Sequence, residues 1–321
     1  MQTLTQTDTL LSDTLAGLGS SPKSLKAKYF YNARGSRIFE QIMQMPEYYP
    51  TKCEQEIIAN QSTAIINALT NNKDETFELF ELGSGDGFKT RILLKALIKT
   101  NADITYIPVD ISNQAIEALQ KNLKRDLPSL NIMPRLGDYF EVLHRINGYS
   151  GFKKAVLFLG ANIGNYLPDE MDSFLTGLAG FMHKGDTALL GFDLKKSPSV
   201  IMAAYDDPHG LTRDFNLNLL RRLNDELKAD FNLNRFEHHA TYNPISGYAK
   251  SYLISSCDQK VKIAVADKVI SFEKSEPVFM EVSRKFDLKT IHHLARKYGF
   301  KVVADFTDSK KYFLDSVWMK L

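Results

Sequence analysis

Only two cysteines, Cys53 and Cys257, occur in 321 residues. That is too few for a disulfide framework and suits a reducing compartment. No apolar run approaches the roughly 20 residues needed to span a bilayer. The first twenty or so residues are polar and lack the basic and apolar regions of a secretory signal. Neither charge dominates: 40 Lys and Arg against 38 Asp and Glu leave a net charge of +2, without the concentrated basic excess of a nucleic-acid binder. These absences point to a cytoplasmic protein with neither a membrane nor a nucleic-acid partner. What is present is ordinary globular composition, 44% hydrophobic, with length for about two domains and a sizeable core. No internal repeat or low-complexity tract occurs.

Residues 1–24 are rich in Ser, Thr, Gly and Pro and are expected to form a loosely ordered arm. Helical spacing follows to about residue 70, with Ile38, Phe39 and Ile42 on one face and Ile57, Ile58, Ile65, Ile66 and Leu69 on another. Between them Met45-Pro46-Glu47-Tyr48-Tyr49-Pro50 carries two prolines that oppose helix. A strand–helix alternation then begins. Strands are expected at 77–82, 104–109, 132–136, 155–159 and 188–192, with helices at 89–99 and 113–126. Short apolar runs separated by helices mark a parallel sheet covered on both faces. After Asp193 the rhythm changes: a helix at 216–230, antiparallel strands at 242–252 and 260–272, a helix at 288–298 and a closing hairpin of 302–305 with 313–319. The expected fold is α/β, a Rossmann-like sheet with a second α+β lobe. Its boundaries divide an N-terminal arm and helices (1–59), a sheet domain (60–195), the second lobe (196–285) and a return to the sheet (286–321).

Glu81-Leu82-Gly83-Ser84-Gly85-Asp86-Gly87 follows a strand and precedes a helix, where open α/β sheets bind ligands. Dinucleotide sites favour G-x-G-x-x-G. The spacing here is G-x-G-x-G behind a carboxylate, Glu81, which would repel a pyrophosphate and suit the cationic end of S-adenosylmethionine (SAM). Asp110 ends the second strand, where an acid can accept ribose hydroxyls. Gly137-Asp138-Tyr139 ends the third, with an acid for the adenine amine and a ring to stack on it. Each acid alone reads equally well as a surface or capping residue. Together they favour SAM over a nicotinamide cofactor and indicate a class I SAM-methyltransferase sheet.

The fourth strand leads into Gly160-Ala161-Asn162-Ile163-Gly164-Asn165-Tyr166, without the Asp/Asn-Pro-Pro-aromatic cluster common in nucleic-acid and protein amino-methyltransferases. Asn162 and Asn165 are candidates for a small polar group such as an amino-acid carboxylate, or are simply turn residues. Phe30-Tyr31-Asn32-Ala33-Arg34-Gly35-Ser36, Ile38-Phe39-Glu40 and Pro46-Glu47-Tyr48-Tyr49-Pro50-Thr51 open a series of motifs that continues through the glycine loop and residues 158–165. Ala204-Tyr205-Asp206-Asp207 and Glu281-Val282-Ser283-Arg284-Lys285-Phe286 complete it. In this order the series resembles the histidine Nα-methyltransferases of ergothioneine biosynthesis, from about residue 25 to the end.

The resemblance implies trimethylation of the α-amine of L-histidine to hercynine, with S-adenosylhomocysteine as the other product. It implies that Gly83, Lys89, Asp110, Asp138 and Tyr139 bind SAM. Asn165 and Tyr205 would hold the substrate carboxylate, Gly160 and Tyr31 would lie near its amine, and Phe39 would wall the pocket. Tyr48, Glu281 and Ser283 would read the imidazole, which offers one donor and one acceptor when neutral. Ser251 stands where relatives carry a methionine, a change that enlarges and polarises that wall. It keeps open a same-fold enzyme for another aromatic amino acid or amine, such as a tryptophan derivative. Tyr31 is the residue nearest to a catalytic role, and no dedicated base is assigned. His238-His239 and His292-His293 are adjacent pairs that do not converge on one ion, so no metal is expected. The expected partner is a small molecule, and the expected state a monomer.

Overall fold

Leu10, Thr14 and Leu18 recur at helical spacing and are all buried. They make the segment read as an arm an amphipathic helix instead, α1 (Gln6–Leu18). Its Ser and Thr content obscured the stripe of residues that packs inward. The computed structural model describes residues 6–70, 76–85, 87–99, 103–138, 142 and 152–321. The chain divides into two units, 1–49 with 196–283, and 50–195 with 284–321. The first boundary thus falls at 49/50, where the sequence reading set 59/60.

The larger unit holds the sheet. Its strands are β2 (Phe77–Leu82), β3 (Ile104–Asp110), β4 (Asn131–Ile132), β5 (Arg135–Leu136), β6 (Lys153–Phe158), β7 (Thr187–Asp193), β13 (Phe300–Thr307) and β14 (Phe313–Lys320). The spatial order is β13-β14-β7-β6-β2-β3-β4, with β5 also on β3. The strands β2 to β7 run parallel. The last two join antiparallel. Because β2 lies between β3 and β6, the order reverses at β2, and its carboxyl end is the place where such sheets bind ligands. The expected third strand is two short pieces: Pro134 has no N–H to donate and interrupts the ladder at its centre.

Helices α3 (Tyr49–Thr70), α4 (Phe88–Ile98), α5 (Asn113–Asp126), α6 (Pro168–Phe181) and α9 (Leu288–Lys297) complete this unit, α3 beginning one residue before it. Tyr49 and Pro50, expected in the break, open α3 instead, since proline is tolerated in a first helical turn. Every residue of β7 is buried, as expected of a strand covered on both faces. Phe158, Phe174, Phe192, Ile291 and Trp318 lie in one continuous core.

The smaller unit is built around α8 (Leu211–Leu227), which buries Phe215, Leu219, Leu220, Leu223 and Leu227. Beside it are α2 (Ala33–Gln44) and α7 (Pro198–Tyr205), with the strands β1 (Lys23–Ser24), β8 (Phe236–Tyr242), β9 (Tyr248–Ser255) and β12 (Pro277–Arg284) in the order β1-β12-β9-β8. A separate hairpin pairs β10 (Gln259–Ile263) with β11 (Lys268–Phe272). In β9, Ala249, Ser251, Leu253 and Ser255 are buried in strict alternation, which fixes the register of its pairing with β8. Among the described residues no helix is long and apolar enough to cross a membrane.

Candidate active site

After Leu82 the chain turns through Gly83, Gly85 and Gly87, at φ of 75°, 51° and 66°, a region that favours glycine. The three glycines serve different ends. A Cβ on Gly87 would lie 2.1 Å from Leu119, so this glycine lets α4 approach α5. A Cβ on Gly85 would meet nothing within 4 Å, and one on Gly83 only Asn162 Nδ2 at 3.9 Å. That open side fits a cofactor lying against the backbone. The Gly83 N–H donates to the Val109 carbonyl at 2.8 Å. Asp110 holds the rest of the loop: its Oδ2 accepts the Gly85 N–H at 3.0 Å and its Oδ1 the Ser112 N–H at 2.9 Å. Each oxygen keeps a second lone pair for a further donor. Gly137 donates to the Asp110 carbonyl at 3.0 Å, which brings the exposed Asp138 to the same sheet edge. Tyr139 lies outside the described residues.

Glu81 is not aimed at a ligand. It is 4% exposed, and its oxygens accept the hydroxyls of Thr90 and Tyr106. The carboxylate that suggested a cationic cofactor therefore ties β2 to α4 and β3. Burial is the dominant cause that pushes its carboxyl up to about 7 from 4.5. The folded protein thus holds this proton more tightly than the unfolded chain does. The resulting stability is complete below pH 4.5 and is lost as pH rises through about 7. Between about pH 5 and pH 8 it amounts to on the order of 2 kcal/mol. Glu81→Gln is expected to remove that part of the pH dependence. Urea unfolding at a series of pH values checks it, and a variant with the parent's slope across this window would refute the assignment.

Lys89 stands in the first turn of α4, but its ammonium is paired with the Glu54 carboxylate. Burial opposes the Lys89 charge, yet Glu54 outweighs it and holds the ammonium above its usual range. Gly160, at φ 81°, donates its N–H to Glu54 Oε1 at 2.7 Å. Asn162 donates to the Leu159 carbonyl at 2.8 Å, which makes it a turn residue. Asn165 is exposed at the end of the same 3-10 turn. Glu54 is not among the residues expected from the sequence. Its one signal was an acid on the apolar face of α3, one turn before Ile57 and Ile58.

In the smaller unit, Asn32 Oδ1 caps α2 by accepting the Gly35 N–H at 2.8 Å and the Asn218 side chain at 3.0 Å. A Cβ on Gly35 would overlap the Phe30 carbonyl at 1.8 Å, so the Tyr31-to-Ser36 motif is a tightly held corner. It presents Tyr31, 43% exposed, edge-on to Phe39 at 5.5 Å between ring centroids. Phe39 meets Tyr48 at 6.1 Å. Phe215, absent from the expected set, meets Tyr31 at 5.5 Å and Phe39 at 5.7 Å. Only its place on the apolar stripe of α8 marked it beforehand.

The polar residues of this unit form a second group. Tyr205, the last residue of α7, donates its hydroxyl to Ser283 Oγ at 2.8 Å. Glu281 is two residues from Ser283 on β12, hence on the same face. The Tyr205 carbonyl accepts His238 Nε2–H at 2.9 Å, and burial pushes that imidazole below its usual pKa. Asp207 caps α8, accepting the N–H groups of His209, Leu211 and Thr212. In the Tyr-Asp-Asp motif, then, Asp207 is structural. Ser251 is buried in the middle of β9. Asn165 belongs to the larger unit and Tyr205 to the smaller. Among the described residues no three His, Cys, Asp or Glu side chains group as metal ligands.

The strand order, with its antiparallel β14 beside β7, is that of class I SAM methyltransferases. The family model described as “Histidine-specific methyltransferase, SAM-dependent” matches residues 10–320. A histidine N-alpha-methyltransferase of Mycobacterium tuberculosis (strain CDC 1551 / Oshkosh) is 38% identical over 277 residues, 86% of this chain and 84% of that protein. A histidine N-alpha-methyltransferase of Mycolicibacterium smegmatis is 38% identical over 279 residues, 87% of this chain and 85% of that one. Ergothioneine biosynthesis protein 1 of Schizosaccharomyces pombe is 26% identical over 288 residues, 88% of this chain and 37% of that protein. Matched by that family model over nearly its whole length, this chain belongs to the histidine-specific, SAM-dependent methyltransferases.

Proposed function

We propose that the chain methylates the α-amine of L-histidine three times, giving hercynine as a monomeric cytoplasmic enzyme. Gly83 and Gly85 would leave room for SAM, Asp110 would accept its ribose hydroxyls, and Asp138 and Tyr139 would hold the adenine, with Lys89 at the near end of α4. Once bound, SAM supplies the methyl: the amine lone pair forms the N–C bond while the C–S pair returns to sulfur, leaving S-adenosylhomocysteine. The amine must be neutral and about 3 Å from the methyl, in line with the breaking bond.

A free α-amine is largely protonated at neutral pH, so Tyr31 would accept its hydrogen bond and pass the proton to water. Asn165 and Tyr205 would fix the carboxylate and Gly160 would line the amine. Tyr205 spends its own proton on Ser283 in the structure described above, so it would have to turn that proton to the substrate. Glu281 would accept the imidazole N–H, with Tyr48 and Ser283 serving the other nitrogen. Phe39, Tyr31 and Phe215 would tolerate the fixed cation left by the third transfer through their ring faces.

The observation that carries this reading is the Tyr205–Ser283 hydrogen bond with Glu281 on the same strand face. It supplies hydroxyls and one carboxylate where an imidazole needs both kinds of partner. Mass spectrometry of the enzyme with SAM and histidine is expected to show products heavier by one, two and three methyl groups. Tryptophan and phenylalanine, run in parallel, should remain unmodified. Methylation of tryptophan with histidine untouched would overturn the substrate assignment.

A further inference from the structure

Glu54 is 0% exposed, and it takes no part in the binding and chemistry proposed above. Its two oxygens hold two different elements, Lys89 on α4 and the backbone of Gly160 after β6. The two are neighbours, since a Cβ built on Gly160 would lie 3.7 Å from Lys89 Nζ. The carboxylate also depends on Gly191 in β7: a Cβ there would lie 2.7 Å from Glu54 Oε1. A buried carboxylate with this many commitments costs several kcal/mol unless fully paired.

A second acid completes the arrangement. Asp315 pairs with Gly191 across β14 and β7. It is 0% exposed, and neither of its carboxyl oxygens has a hydrogen-bond partner. Burial first, and the Glu54 carboxylate second, push its carboxyl well above the usual range. Two buried carboxyls facing one ammonium are accommodated when Asp315 keeps its proton. Glu54 is then left to pair with Lys89.

We propose that Glu54 is a positioning residue for methyl transfer, acting through the Gly160 backbone and the Lys89 ammonium. It touches neither donor nor acceptor. It sets the loop that borders the amine against the helix end that borders the cofactor, and a small displacement there misaligns an in-line transfer. The inference rests on the histidine-methylation reading above.

The test compares the full chain with Glu54→Gln, which keeps an oxygen for Gly160 and removes the charge facing Lys89. The expected result is a kcat at least ~30-fold lower with a histidine KM changed less than about threefold, the signature of lost alignment rather than lost binding. S-adenosylhomocysteine affinity, read by calorimetry, should weaken about tenfold, equivalent to about 1.4 kcal/mol. Parent-like kcat and affinity in a folded Glu54→Gln protein would overturn the proposal. If Glu54→Gln does not fold, Gly191→Ala decides, because its methyl pushes Glu54 off Gly160 without removing a charge. It should give the same split, and a parent-like kcat would overturn the proposal. A parent that binds S-adenosylhomocysteine but leaves histidine unmethylated would sink the functional reading alone, while the affinity comparison would still judge Glu54.

Discussion

Asp110→Ala is expected to weaken S-adenosylhomocysteine binding about 100-fold, or about 2.7 kcal/mol, and to lower kcat/KM at least as much at limiting SAM. Two losses combine. The ribose hydroxyls lose a charged acceptor, a contact of about 1.5–3 kcal/mol. The Gly85 N–H loses its partner at 3.0 Å, so the loop that should lie against the cofactor is no longer held. Asp110→Asn separates them, since its amide oxygen still accepts one N–H but carries no charge. It should fall between the parent and the alanine variant. Calorimetric titration with S-adenosylhomocysteine reads both. An Asp110→Ala protein with unchanged affinity would remove Asp110 from the cofactor site.

The centre of the sheet was legible because β2, β3, β6 and β7 are short apolar runs bounded by turn residues, a pattern set by burial on both faces. The glycine loop was legible because three closely spaced positive-φ positions strongly favour glycine. Long-range pairing was not. Glu54 reaches Gly160 across 106 positions, and its place on the apolar face of α3 hints at burial without naming either partner. Glu81 misled in the opposite way. Its position before the loop suggested a ligand contact, yet two hydroxyls from α4 and β3 claim it. Phe215 was hidden because an aromatic residue on an amphipathic stripe looks the same whether it fills a core or steadies two rings of a pocket. In Tyr-Asp-Asp the motif itself was visible, but the division of labour within it, Tyr205 bonded to Ser283 and Asp207 on a helix cap, emerged only from their hydrogen bonds.

Glu281→Ala is expected to weaken histidine binding by about 2–4 kcal/mol, a loss of ~30- to 1,000-fold in kcat/KM. The imidazole N–H would be left without its acceptor in a desolvated place, and that stranded donor costs more than the net value of the bond. The effect on selectivity should be as diagnostic as the effect on rate. A site built around a hydrogen-bonded ring rejects phenylalanine because its own polar groups go unpaired. Removing Glu281 deletes the chief such penalty, so the preference for histidine over phenylalanine should shrink along with the rate. Ser283 and Tyr205, bonded to each other at 2.8 Å, can partly satisfy one another when the imidazole is absent, so Ser283→Ala should cost less than Glu281→Ala. Steady-state kinetics with both amino acids measures each arm. A Glu281→Ala enzyme with the parent's histidine KM and the parent's selectivity would mean that the imidazole is read elsewhere, and the strand face of Glu281 and Ser283 would revert to ordinary polar alternation.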